Sequence, residues 1–330
     1  MSIDKKNQIV FYINNMKKIA VLIPCYNEEK TVGQVVSDFR EKLPSADIYV
    51  YDNNSTDNTV EEAKRAGAII RFEKRQGKGN VVRSMFKQIE ADIYVMVDGD
   101  GTYPADKVNE LIKPVMNGEA DMVVGSRLHS SSKSHFNYMN LLGNKLFIFI
   151  LNFIFRVKIS DLLSGYRAFS RHVVKSIPII SRGFEIETEI TIKCLERNYR
   201  IFEIPVDLSP RHRESKSKIK IFRDGFLILS TILAFFRDYK PLTAFGLIGL
   251  FFVISGLIPG IIVINEFVET GFIRRIPSAI LSVGLVLTGV IIFFAGLVIH
   301  TISHRFQELD YQMQHLLDTD RENISDKNKN

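Results

Sequence analysis

Residues 91–105, ADIYVMVDGDGTYPA, decide the fold. A run of β-forming residues, 93–97, ends abruptly in the turn sequence Asp-Gly-Asp-Gly at 98–101. Such a run, bounded by turn residues, is typical of a buried strand whose carboxyl end opens into a loop. The carboxylates of Asp98 and Asp100 can face one point there, and the glycine between them lets a ligand approach the backbone. Hard oxygen donors suit Mg²⁺ or Mn²⁺, which keeps part of its water and also binds phosphates, so the stretch predicts a metal–diphosphate site.

Two other interpretations use the same loop. A solvated turn explains an Asp-x-Asp sequence taken alone. A calcium loop of the EF-hand type beginning at Asp98 would need Gly at its sixth position and Glu at its twelfth. The chain has Tyr103 and Asn109 there, and the loop follows a strand pattern rather than a helix. The calcium loop is therefore excluded, and the metal hypothesis depends on motifs elsewhere in the chain.

Four further β-type runs alternate with amphipathic helical stretches, which predicts an α/β fold. These runs are residues 18–24, 47–51, 68–72 and 121–124. The helix after the first run carries one apolar face, formed by Val32, Val35, Val36 and Phe39. No G-x-G-x-x-G follows the first run, so the dinucleotide-binding fingerprint is absent.

Polar residues follow the second run, in the sequence DNNSTDNT at 52–59. Ser55, Thr56 and Asp57 are expected to cap a helix over 60–66. Capping does not explain Asp52, which stands at the carboxyl end of its strand, where α/β sheets bind ligands.

A lysine flanked by glycines, in the sequence QGKGN at 76–80, precedes a helix predicted over 81–89. Backbone amides at a helix start together with Lys78 suit a phosphate. A plain loop leading into a helix explains the same residues equally well. The spacing is not that of a Walker A loop.

Composition excludes some function classes. The net charge of +6 is too modest to indicate nucleic-acid binding. The two cysteines, Cys25 and Cys194, lie far apart in apolar runs, as expected of reduced core thiols in a cytosolic domain. We expect no signal peptide in residues 1–16, which stay unassigned.

The second half of the chain predicts a membrane protein. Residues 242–264 and 276–299 are apolar segments long enough for the ~20 residues that cross a bilayer. Arg237, Lys240 and Arg305 flank their outer ends, which favours a hairpin with the preceding domain and both termini in the cytosol. Residues 141–157 form either an interfacial helix or a buried domain helix. Self-association through the two spans stays open.

The chain therefore divides into five parts. They are an unassigned leader (1–16), an α/β domain (17–218), a juxtamembrane amphipathic helix (219–240), a two-helix hairpin (241–300) and a polar tail (301–330). The tail is expected to begin as a short amphipathic helix and to continue as disorder.

The order of the motifs resembles a known family. PCYNEE, YDNNSTDNT, QGKGN, VDGDGTYP and VGSR occur in the order typical of family 2 glycosyltransferases of the GT-A fold. The chain is most similar to the branch with dolichol-phosphate mannose synthase and bacterial polyprenyl-phosphate glycosyltransferases. The likeness continues through DLLSGYR (161–167), GFEIETE (183–189) and SKSK (215–218). It implies a Rossmann-like catalytic domain followed by interfacial helices and a membrane hairpin.

The resemblance also implies roles for individual residues. A nucleotide sugar would be bound by Pro24, Tyr26, Glu28, Asp52, Lys78, Asp98 and Gly99. Asp98 and Asp100 would hold Mg²⁺ or Mn²⁺. The acidic residues at the reacting centre would be Asp100, Asp161 and Glu187, with Glu185 as a further candidate. The acceptor phosphate would face Arg127, Arg211, Ser217 and Lys218. Thr102 stands where mannose synthases have Gln, and Glu214 stands where relatives often have Gly.

The chemistry of a lipid monophosphate acceptor agrees with this set. Its second pKa is about 6, so it is largely dianionic at neutral pH and needs cations and alignment rather than a base. Residues 211–223 contain six Lys or Arg and one acid, Glu214. These cations suit either the acceptor phosphate or anionic lipid headgroups, and both uses can hold at once.

The sequence thus predicts transfer of one sugar, with inversion, to polyprenyl (undecaprenyl) phosphate at the cytoplasmic membrane face, for cell-envelope glycans. UDP-GlcNAc is the favoured donor, then UDP-glucose, then GDP-mannose. A processive polysaccharide synthase is disfavoured, because the chain has no Trp for its Q-x-x-R-W motif and two spans make a poor polymer channel. A non-catalytic membrane scaffold that keeps a donor-binding fold stays as the alternative.

Overall fold

A computed structural model describes residues 17–127, 146–153, 157–183, 185–208 and 221–327. Within these ranges, the side chains of 221–225, 307, 310–311 and 313–327 are not described. The chain divides into two compact units, Met1–Ile232 and Leu233–Asn330. The division falls inside the segment predicted as the juxtamembrane helix. The leader and the basic cluster with Arg211, Ser217 and Lys218 lie outside the described residues.

The first unit contains a seven-stranded mixed sheet, in the order β3-β2-β1-β4-β6-β5-β7. The strands are β1 (Ile19–Cys25), β2 (Asp47–Asp52), β3 (Ile69–Phe72), β4 (Ile93–Met96), β5 (Met122–Ser126), β6 (Arg167–Ser170) and β7 (Ile201–Pro205). Only β6 runs against its neighbours, β4 and β5, while the other pairings are parallel. The α/β prediction and its five strands are confirmed, and β6 and β7 were not predicted.

The helices in this part of the chain are α1 (Val32–Lys42), α2 (Thr59–Arg65), α3 (Lys78–Gln88), α4 (Val108–Met116), α5 (146–153), α6 (Arg171–Ser176), α7 (Ile186–Glu196) and α8 (Ile221–Tyr239). Residues of α1, α2 and α4 pack in one core against the sheet, and residues of α3, α6 and α7 pack in a second core. Alternate residues of β1 enter two separate cores, because successive side chains of a strand point to opposite faces. Val21 packs with the apolar face of α1, and Leu22 packs with α3. All four apolar residues predicted on α1 are buried.

The second unit contains two long helices, α9 (Pro241–Thr270) and α10 (Ile276–Lys327). Pro241–Thr270 and Ile276–Phe306 are long and apolar enough to cross a membrane. The two helices pack closely where Gly249 meets the Gly289 carbonyl. The Ser282 hydroxyl donates to the Gly256 carbonyl at 2.7 Å. Glycine and serine permit such a close approach between apolar helices.

Two details of this unit differ from the prediction. The loop between the helices is shorter than the predicted 265–275, because α9 continues to Thr270. The last helix also continues to Lys327, where a short helix and then disorder were expected. No Gly or Pro occurs after Gly296, so nothing in the local sequence ends the helix earlier.

Candidate functional site

The Asp98–Gly101 loop leaves the carboxyl end of β4 in a tightly held shape. The carboxylate of Asp100 is buried and accepts hydrogen bonds from the backbone N–H and hydroxyl of Thr102, at 3.1 and 2.7 Å. The Thr31 hydroxyl donates to the Gly99 carbonyl at 2.7 Å. A Cβ on Gly99 would lie 2.6 Å from the Cys25 sulfur, so glycine is needed here for packing against β1. The sequence predicted only that this glycine lets a ligand approach the backbone, and the structure adds the packing against Cys25.

Lys78 joins three elements at the centre of this site. Its ammonium lies 2.5 Å from the Asp98 Oδ1 and 2.6 Å from the Glu187 Oε1. The side chain of Lys78 is 11% exposed and that of Glu187 is 4% exposed, while Asp98 keeps 28%. Burial disfavours the charged ammonium, but the two carboxylates outweigh it, so the pKa of Lys78 is raised above its ordinary value. The structure thus brings a residue predicted for the nucleotide together with one predicted for the reacting centre.

The glycines around Lys78 contact protein backbone. Helix α3 begins at Lys78, three residues before its predicted start. The Gly79 N–H donates to the Arg182 carbonyl at 3.1 Å. The carboxylate of Glu189 accepts from the N–H groups of residues 180 and 181, and that of Glu185 accepts from residues 182 and 183. An amide bonded to a carbonyl is not offered to a phosphate, which favours the helix-start loop over the phosphate cradle. Glu185 accordingly orders this loop.

Arg127 and Asp161, predicted for the acceptor and the reacting centre, contact each other. The guanidinium donates to both Asp161 oxygens, at 2.7 and 2.9 Å, and the Arg127 N–H donates to Oδ2 at 3.0 Å. Burial disfavours the carboxylate form of Asp161, but Arg127 outweighs it and the pKa of Asp161 is lowered. A carboxylate held in a bidentate pair is a weak proton acceptor. The pair therefore anchors the carboxyl end of β5 to the segment before β6.

The residues predicted for the nucleotide lie on two adjacent loops. Pro24 is the last residue but one of β1 and Tyr26 follows that strand, while Asp52 ends β2, where it pairs in register with Cys25. Asp52 is buried and accepts from the Ser55 N–H. Tyr26 is exposed, and Glu28 is half-buried on the same β1 loop.

The side chains expected to cap helix α2 connect these loops instead. The Ser55 hydroxyl accepts from the Asn27 N–H at 2.9 Å, and the Thr56 N–H donates to the Asn27 side chain at 2.8 Å. Asp57 accepts from Glu29 and Thr59 N–H groups. The helix begins at Thr59, and its N-cap Asn58 makes no side-chain cap bond. The capping prediction was wrong for Ser55 and Thr56, because the neighbouring β1 loop offers them backbone and amide partners.

Sequence reasoning missed a group of residues that positions Asp98. Gly165 packs so closely on the Asp98 carboxylate that a Cβ there would overlap it. The Gly165 N–H donates to the Tyr103 hydroxyl at 2.9 Å. Arg167 is fully buried and donates to the Leu162 and Ser164 carbonyls, each at 2.8 Å, and to a threonine hydroxyl. A charged residue at the first position of an otherwise apolar strand was the signal for Arg167, since such a residue is buried only with several acceptors.

The donor set at Asp98 and Asp100 fits a partly hydrated divalent cation. In the described ranges, no group of three or more His, Cys, Asp or Glu side chains could enclose a metal. Two carboxylates, one of them partly exposed, suit Mg²⁺ or Mn²⁺ that completes its shell with water and substrate phosphate. Asp98 and Asp100 would hold such an ion.

Comparisons with known proteins agree with this arrangement. The family model for glycosyl transferase family 2 matches residues 20–177. The glycosyltransferase AglJ of Haloferax volcanii is 32% identical over 279 residues, which cover 84% of this chain and 91% of the relative. The dolichol-phosphate mannosyltransferase of Pyrococcus furiosus is 28% identical over 286 residues, covering 81% of this chain and 78% of the relative.

A solved structure shares the fold. Glucosyl-3-phosphoglycerate synthase from Mycobacterium tuberculosis, in complex with Mn²⁺, UDP-glucose and phosphoglyceric acid, superposes with a TM-score of 0.55 at 22% identity. The match covers 68% of this chain and 82% of that one. The predicted resemblance and the transferase class are confirmed, and the chain belongs to glycosyl transferase family 2.

Proposed function

We propose that this protein transfers one sugar from a nucleotide sugar to a polyprenyl phosphate at the cytoplasmic face of a membrane, with inversion at the anomeric carbon. Two observations support a lipid acceptor. The family 2 unit shares its chain with two helices of membrane-spanning length, and a relative is named for dolichol phosphate. Arg237, Lys240 and Arg305 flank the spans, which favours a cytosolic transferase unit and cytosolic termini.

The observation that carries the acceptor class is the pairing of the buried carboxylates. Asp161 is paired with Arg127 and Glu187 with Lys78, so each carboxylate already has a cationic partner. A hydroxyl acceptor needs a proton removed, whereas a phosphate monoester is already largely dianionic at pH 7. The paired carboxylates therefore fit a phosphate acceptor better than an alcohol.

Other residues of the site are assigned to the metal, the diphosphate and the nucleoside of the donor. A divalent metal at Asp98 and Asp100, Mg²⁺ or Mn²⁺, would neutralise the departing diphosphate. Lys78 supplies a buried positive charge beside that position. Asp52, Tyr26 and the β1 and β2 loops would bind the nucleoside part of the donor. UDP-GlcNAc is the favoured sugar donor, UDP-glucose the next and GDP-mannose the third. The solved UDP-glucose complex supports a uridine nucleotide, and the mannosyltransferase relative supports the third.

The test is a transfer assay on membranes that contain the full chain. They are incubated with undecaprenyl phosphate, Mg²⁺ or Mn²⁺ and a panel of labelled nucleotide sugars. We expect label from one donor to enter the lipid fraction, and we expect Asp100→Ala to abolish it. Asp106→Ala is the matched control, because Asp106 is an exposed aspartate paired with Lys42 on the surface.

Two results would contradict the proposal. Label that enters undecaprenol as well as its phosphate would show that the acceptor is an alcohol. No lipid label from any donor, with the fold intact, would refute lipid transfer altogether. Nucleotide-sugar binding without acceptor-dependent release of the nucleotide would then favour the scaffold alternative.

A further inference from the structure

The Lys78 ammonium occupies the carboxylate that a metal would need. It lies 2.5 Å from the Asp98 Oδ1, so a charged hydrogen bond already occupies that oxygen. A strongly bound ammonium and a divalent cation repel each other and cannot share one carboxylate oxygen at full strength.

Glu187 offers Lys78 a second position. Its Oε1 lies 2.6 Å from the same ammonium, and its side chain is almost completely buried. Glu187 and Lys78 stand in the first turns of α7 and α3, and those helix starts are linked through the 178–183 loop. The ammonium therefore keeps a carboxylate partner when its contact with Asp98 is given up.

We propose that Lys78 is an internal competitor of the metal at Asp98 and that Glu187 is its positioning residue. Without donor, Lys78 neutralises Asp98 and lowers its affinity for a divalent cation. A nucleoside diphosphate offers the ammonium new oxygens, so Lys78 leaves Asp98 for the diphosphate, and metal and nucleotide bind more tightly together than apart. This inference rests on the proposed nucleotide-diphosphate site and adds a coupling between its two ligands.

The experiment measures binding of Mn²⁺ alone and then of UDP in saturating Mn²⁺, on the purified full chain in detergent. Free Mn²⁺ is followed by electron paramagnetic resonance and UDP by calorimetry. In Lys78→Met, we expect Mn²⁺ alone to bind about tenfold more tightly or better, because a competing charge is removed. We expect UDP to bind at least about tenfold more weakly in the same variant. Glu187→Gln should weaken Mn²⁺ binding, because Lys78 then rests on Asp98 alone.

Two further variants show whether a change in binding comes from the loss of Lys78 itself. Lys78→Met leaves Glu187 as a buried unpaired charge, so the double variant Lys78→Met/Glu187→Gln is measured as well and should also bind Mn²⁺ more tightly than wild type. Lys175→Met is the matched control. Lys175 is a half-buried lysine that donates to the Phe86 and Ile89 carbonyls at the opposite end of α3, and its loss should leave both affinities unchanged.

The outcomes separate this inference from the proposed function. Equal or weaker Mn²⁺ binding in both Lys78 variants, or no detectable Mn²⁺ binding in any variant, overturns the competition. If the wild type also transfers sugar, only the inference about Lys78 fails. If the Mn²⁺ and UDP changes appear as expected and no transfer occurs, the acceptor proposal fails and the coupling stands.

Discussion

The substitution Gly165→Ala tests how closely the position of Asp98 determines activity. A Cβ at residue 165 would lie 2.8 Å from the Asp98 Cγ and 2.9 Å from its Oδ1. Non-bonded carbon atoms prefer about 3.5 Å or more, so the carboxylate must move by about 0.7 Å. The backbone at Gly165 does not need a glycine conformation, because its φ is not positive. The substitution therefore displaces Asp98 rather than straining the main chain.

A shift of about 1 Å at a reacting centre costs about 10²-fold in rate. We expect kcat/KM to fall about 30- to 100-fold, which equals about 2 to 3 kcal/mol of transition-state stabilisation. The assay is lipid-linked sugar formation at varied donor concentration, with thermal unfolding in detergent to show that the fold is kept.

Gly33→Ala is the matched control, since a Cβ there would meet its nearest atom, the Glu62 carbonyl oxygen, at an ordinary 3.7 Å. It should leave kcat/KM unchanged. Wild-type activity in Gly165→Ala would refute the reasoning, because it would mean that the carboxylate position set by Gly165 does not matter to transfer.

Three further predictions concern stability. Arg75 lowers the pKa of Glu73 to about 2, so the carboxylate stabilises the fold above about pH 4.5 and loses this effect as the pH falls toward 2. The difference in unfolding free energy between wild type and Glu73→Gln should shrink over that range in urea titrations. Arg167→Lys should lower the unfolding free energy by about 2 to 4 kcal/mol, because lysine cannot reach three buried acceptors at once, and the same titration measures it. Asp161→Asn should cost about 3 to 5 kcal/mol by leaving Arg127 buried beside a neutral amide, whereas adding Arg127→Met should recover much of that loss.

Local patterns predicted the parts of the fold that depend on neighbouring residues. The alternation of apolar runs with amphipathic helices identified five strands, and the spacing of Val32, Val35, Val36 and Phe39 identified the buried face of α1. The strands β6 and β7 were not predicted, because they are short and their positions depend on pairing with strands that are distant in sequence. Strand β6 is four residues long, begins with Arg167 and inserts antiparallel between β4 and β5. No periodicity in four residues can indicate that insertion.

The site shows the same limit. The motifs placed Lys78, Asp98 and Glu187 in one region, but their mutual contacts join residues up to 109 positions apart in sequence. The sequence shows that residue 78 is a charged lysine, but it does not show which carboxylate pairs with that lysine. The two interpretations of QGKGN could not be separated from the sequence for a related reason: the carbonyl that accepts from the Gly79 N–H belongs to Arg182, about 100 residues later in the chain.

The formal charges of the site indicate why its ligands should arrive together. Asp98, Asp100 and Glu187 have formal charges of −1 and Lys78 has +1, so these four side chains are negative overall. A divalent cation would neutralise this negative charge. A bound diphosphate would then add negative charge of its own, and Lys78 could neutralise part of it only by moving away from Asp98. The acceptor phosphate adds still more negative charge. Arg127, which is paired with Asp161, is one predicted partner for it, and the basic residues of 211–223 are the densest source of further positive charge in the sequence.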